Sequence, residues 1–88
     1  MTETTREIPF REIPSEHCPL LMVASGVSIA TALREAADLE DAVRRLLVIG
    51  TESGIEGSLS YLCEFALEIA GALRRSTEND RLRHQHRL

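Results

Sequence analysis

Residues 28–49 read SIATALREAADLEDAVRRLLVI, and the fold turns on how that stretch is read. Apolar side chains recur at Ile29, Ala32, Ala36, Leu39, Val43 and Leu46, in alternating steps of three and four. That is a seven-residue repeat, and it predicts one apolar stripe along a helix. Ser28 stands where an N-cap belongs, with Val27 before it as a staple residue. Gly50 and the polar Thr51-Glu52-Ser53-Gly54 stretch predict a stop. Ser53 and Glu56 then have capping-box spacing. A second helix follows with Ile55, Leu59, Leu62, Ala66, Ile69 and Leu73 in the same rhythm. Arg74 and Arg75 mark its end, at the negative pole of the helix dipole. Two helices of about 20 residues joined by a short turn predict an antiparallel hairpin about 30 Å long.

Upstream, Leu20-Leu21-Met22-Val23-Ala24 is a continuous apolar run between Pro19 and Ser25-Gly26. Its length suits one short buried strand. A strand needs a partner for its amides, and the expected partner is a copy in another subunit. The first nineteen residues carry a tandem echo, Arg6-Glu7-Ile8-Pro9-Phe10 and Arg11-Glu12-Ile13-Pro14-Ser15. Each Pro removes an amide donor and pushes the preceding Ile toward an extended conformation. Residues 1–19 therefore read as an extended arm, either frayed or anchored on a neighbouring surface through Ile8, Phe10 and Ile13. Residues 20–76 form the strand plus helical hairpin, and residues 77–88 a flexible polar tail.

The hairpin has more apolar surface than it can bury in itself. Beyond the seam, the first helix offers Leu33, Leu47, Val48 and Ile49, and the second offers Cys63, Phe65, Leu67 and Ala70. A stripe that wide belongs in a bundle of three or more helices. The expected fold is mainly α, with two hairpins dimerising into a four-helix arrangement. The same surplus could instead face a different protein.

Composition narrows the function. The chain has 88 residues, 43% of them hydrophobic and 27% charged, with three aromatics and no Trp. A core this small seldom stabilises a chain without a metal, disulfides or a second subunit, and two cysteines cannot form a disulfide framework. All ten positive charges are Arg, against fourteen acids, for a net charge of −4. An acidic body argues against nucleic acid as the main ligand, since phosphate binding needs a basic face. No apolar run approaches the roughly 20 residues that span a bilayer, and no apolar signal core opens the chain. A cytoplasmic protein with reduced thiols is expected.

Candidate chemical sites are weak. His84 and His86 lie among arginines on the tail, where no Cys or carboxylate completes a metal site. Glu64 and Glu68 stand one helical turn apart, opposite the seam, where solvated acids are expected. Cys63 reads as a small buried hydrophobe. Cys18 follows His17 in an extended stretch, where adjacent side chains point apart. No phosphate loop, nucleophile elbow or zinc-ligand spacing occurs. Neither enzyme activity nor a cofactor is expected.

From Leu20 to Leu33 the chain reads LLMVASGVSIATAL. This resembles the opening of a family of small, mostly uncharacterised pseudomonad proteins: an apolar strand, Gly-Val, a capping residue, and a helix beginning with an Ala-Leu pair. The resemblance covers roughly residues 20–76 and is carried by Gly26-Val27 and Ala32-Leu33. In size and layout the chain is similar to quorum-sensing antiactivators of the QslA type. That likeness implies a partner, the ligand-binding domain of a LasR-type transcription factor, kept from dimerising and engaging DNA. It assigns no contact residues. The helical pattern alone nominates Leu47, Val48, Ile49, Tyr61, Phe65 and Leu67 as the partner face. The alternative is a structural homodimerisation module whose apolar surface is consumed by its own dimer.

Overall fold

The computed structural model describes residues 3–54 and 56–78, so Ile55, His84 and His86 lie outside the described residues. Strand β1 (Ile8–Ile13) is followed by a single 3-10 turn at Pro14–Glu16 and strand β2 (Cys18–Val23). Helices α1 (Ile29–Ser53) and α2 (Gly57–Ser76) complete the order. β1 and β2 pair antiparallel, with Ile8 opposite Val23, Phe10 opposite Leu21 and Ile13 opposite Cys18. The strand read at residues 20–24 therefore begins earlier, and its partner lies in its own chain. That partner is the segment expected to be an arm. Pro9 is tolerated there because β1 is an edge strand, and Pro14 lies beyond it in the 3-10 turn.

Residues before β1 are also tied down. Thr5 is buried; its amide donates to the Val27 carbonyl at 2.7 Å, and its carbonyl accepts from the Gly26 amide at 3.0 Å. Its hydroxyl donates to the Ala24 carbonyl at 2.7 Å and accepts from the Val27 amide at 3.1 Å. The next amide, of Arg6, donates to the Ser76 carbonyl at 2.9 Å. One short segment thus joins the β2–α1 loop to the end of α2.

Ser28 occupies the N-cap position of α1, but its side chain makes no capping hydrogen bond. The Ile29 amide is instead met by the Glu3 carbonyl at 3.3 Å. The helix runs through Gly50, where a stop was expected, and ends at Gly54 with φ 81°. That left-handed conformation suits glycine. Because Ser53 belongs to α1, the expected Ser53/Glu56 capping box does not form, and Glu56 caps α2 without a side-chain bond. Arg74 reaches back to Glu40, and Leu67 shares a groove with Leu47, so α2 runs antiparallel to α1.

α2 is the middle layer of three. Ala70 and Ala72 are both fully buried although they lie about 200° apart around the helix. On the side toward α1, Cys63 and Ala70 of α2 are buried; on α1, Ala32, Ala36 and Val43 are buried and Ile29, Leu39 and Leu46 half-buried. Toward the sheet, Ala72, Phe65, Ile69 and Leu73 pack on Ile8, Phe10, Leu21 and Val23. The observed seam of α2 is thus Leu59, Cys63, Ala66 and Ala70, with Leu73 on the sheet side. It keeps the steps of four and three but is rotated by one residue at two places from the sequence reading. Ile69 turns to the sheet, and Leu62, expected in the core, is 60% exposed. Small side chains at a seam let helix axes approach toward the short end of the usual 8–10 Å range.

Candidate functional site

About one turn before its end, α1 carries Leu46-Leu47-Val48-Ile49. At about 100° per residue, four consecutive apolar side chains surround the helix. A helix that is apolar all round is ordinarily buried. Here Leu47, Val48 and Ile49, with Tyr61 and Leu67 on α2, are between 45% and 59% exposed. Leu62 adds to this set. The apolar end of the hairpin is the one nearest the interhelical turn; the opposite end is covered by residues 3–6. On α1, Arg34, Glu35, Asp38, Glu40, Asp41, Arg44 and Arg45 precede this apolar run, and Glu52 follows it.

A groove of about 280 Å³ leads from this end along one flank of the seam, lined by Glu40, Val43, Arg44, Leu47 and Leu67. Val43 forms its buried floor. Glu40, on its wall, accepts two parallel bonds from the Arg74 guanidinium, at 2.6 and 2.8 Å. The hydrogen bond from Arg74 holds the Glu40 carboxyl below the usual carboxylate range. A carboxyl lowered in this way stabilises the fold above its unfolded pKa, and loses that contribution as pH falls through the lowered folded value. Acid unfolding followed by circular dichroism is therefore expected to show a shallower pH dependence in Glu40→Gln than in the parent.

Phe65 does not belong to this surface. It is half-buried in the sheet-facing core and stands edge-on to Tyr61, with ring centroids 6.2 Å apart. Over the pair lies Arg11, 4.6 Å from the Phe65 ring centroid and 5.2 Å from that of Tyr61. Its guanidinium donates to Glu68 at 2.7 Å and to the Tyr61 hydroxyl at 2.6 Å. The hydrogen bond to Glu68 raises the Arg11 pKa further. Arg11 has φ 62°, a left-handed conformation uncommon for a residue with a side chain. The kink interrupts the register between Phe10 and Glu12. It sets the guanidinium against α2, so the arginine clamps the sheet to the helix.

Nothing in the sequence pattern singled out Arg11, because its partners lie fifty or more residues away. Glu68 is accordingly the acceptor of a clamp and not half of a carboxylate pair, while Glu64 is exposed. A planar fork serving two acceptors and two rings is not replaced by an ammonium group. Arg11→Lys is expected to lower the melting temperature nearly as much as Arg11→Ala. Full recovery by lysine would show that charge alone suffices.

No family model, curated protein or solved structure matches the chain. The surface must therefore be read from its own chemistry. Among the described residues no group of three or more His, Cys, Asp or Glu side chains could hold a metal. No described helix is long and apolar enough to cross a membrane. Cys63 is buried in the seam and Cys18 is exposed on β2. What the hairpin end offers is aliphatic and aromatic area beside a charged girdle, suited to an amphipathic protein surface.

Proposed function

We propose that the chain is a protein-binding negative regulator, an antiactivator acting in the cytoplasm. In this reading it binds the ligand-binding domain of a LasR-type quorum-sensing transcription factor and blocks its dimerisation and DNA binding. The carrying observation is the exposed apolar end built from Leu47, Val48, Ile49, Tyr61, Leu62 and Leu67. The choice of receptor comes from the likeness in size and layout to quorum-sensing antiactivators; the exposed apolar residues support protein contact. The mechanism is competitive, with the hairpin end covering the patch through which the receptor pairs with itself. Aromatic and aliphatic anchors at the centre of such an interface carry most of its affinity.

The test mixes the chain with purified receptor domain and follows the mass by size exclusion with light scattering. A mixed species is expected. Leu47→Glu and Leu67→Glu should keep the parent helix content, since both residues are about half exposed. Each should weaken the mixed species by about 2 kcal/mol or more, roughly thirtyfold. A parent chain that ignores the receptor would remove the proposed partner.

The second reading is a homodimer that brings four helices together. It is favoured by the thinness of the core: among the described residues the largest fully buried side chain is that of Ser76. Small domains with so little buried volume ordinarily draw on a second subunit.

A further inference from the structure

The two edges of the sheet differ. β1 carries Arg11 and Glu12, has Pro9 within it, and is kinked by the left-handed Arg11. Charge, proline and a kink are the devices by which sheets discourage pairing along an edge. β2, Cys18–Val23, has no charged residue, and its backbone departs nowhere into the left-handed region. Its one protective feature is Pro19, near its start. On the face turned away from α2, Leu20 and Met22 are 62% and 52% exposed. An isolated two-stranded sheet is marginal, and three or more strands on an apolar face are the usual stable form.

We propose that β2 pairs antiparallel with β2 of a second copy of this chain, giving a continuous sheet in the order β1-β2-β2-β1. The occupant is argued from charge and self-complementarity. A two-fold axis at Leu21 sets Leu20 of each copy opposite Met22 of the other, apolar against apolar, with no charged strand residue opposed to another. Pro19 then meets Val23 at the rim, and the central three residues keep their amides. The two α2 helices lie on one face of the joined sheet with each α1 outside, which supplies a route to four helices. The sheet edge and the apolar hairpin end are separate surfaces, so the inference does not rest on the partner-binding reading.

Sedimentation equilibrium on the full chain tests it. The parent is expected at twice the 9.8 kDa chain mass. Two double variants keep the substituted positions and change only the sign of the charges facing each other. Leu20→Lys with Met22→Lys opposes like charges at both cross-strand pairs and should weaken the dimer about tenfold or more. Leu20→Glu with Met22→Lys opposes unlike charges there and should remain dimeric. Circular dichroism confirms that both variants fold. A monomeric parent at millimolar concentration overturns the proposal, as does equal dimerisation of the two double variants. Loss of the dimer in Leu47→Glu with both Leu20/Met22 variants dimeric would move the interface to the hairpin end, also overturning it.

Discussion

Phe10→Ala is expected to leave much of the chain unfolded in water. Phe10 is buried where the sheet meets Phe65, Ile69 and Ala72. Truncating a buried phenylalanine costs about 3–5 kcal/mol. The whole stability of a chain this long is about 4–13 kcal/mol. Denaturant unfolding followed by circular dichroism should show a large fall in midpoint, or no folded baseline. The effect separates the structure from the frayed-arm reading of residues 1–19, under which Phe10 contributes nothing to folding. An unchanged midpoint would restore the arm.

Ala70→Glu should be as damaging. Ala70 is fully inaccessible in the seam between α1 and α2, and a carboxylate there has neither room nor partner. Burying an unpaired charge costs several kcal/mol, and an added side chain in a tight seam costs about 1–3 kcal/mol more. Leu62→Glu is the matched control. Its side chain is largely exposed, so stability should change by no more than about 0.5 kcal/mol. The heptad reading predicts the reverse for Leu62. Thermal unfolding of the two variants decides which seam the protein uses.

The sequence pattern revealed both helices, the apolar stripe of α1 and the exposed position of Leu47, Val48, Ile49, Tyr61 and Leu67. It misjudged α2 because that helix is buried on two sides. Leu62-Cys63 and Ile69-Ala70 are adjacent apolar pairs, and periodicity cannot say which member enters the seam. The steps of four and three from Ile55 pick Leu62 and Ile69; close helix approach takes the smaller Cys63 and Ala70, and the sheet takes Ile69. Phe65 was given to the partner face for the same reason, since a second buried face is invisible while the sheet is unknown.

The sheet escaped notice because β1 is short, broken by Pro9 and carries Arg11 and Glu12 where alternation would help. A charged, proline-containing segment resembles a terminus until its partner is known. The Thr5 bonds to residues 24–27 and the Arg11 clamp are long-range polar contacts, and they leave no periodic trace. Gly50 misled the helix boundary because glycine is tolerated inside a helix at a cost of about 1 kcal/mol. The left-handed turn that ends α1 lies four residues later, at Gly54.

The most direct test of the central claim, that the turn end of the hairpin is the protein-binding surface, is amide hydrogen exchange. The chain is measured alone and with the receptor domain, at one fixed chain concentration so that any self-pairing through β2 is common to both. New protection is expected across residues 46–49 and 59–67, with residues 3–28 unchanged. A complex that forms while its protection falls on β1 or β2, leaving the hairpin end as exposed as before, would contradict the claim.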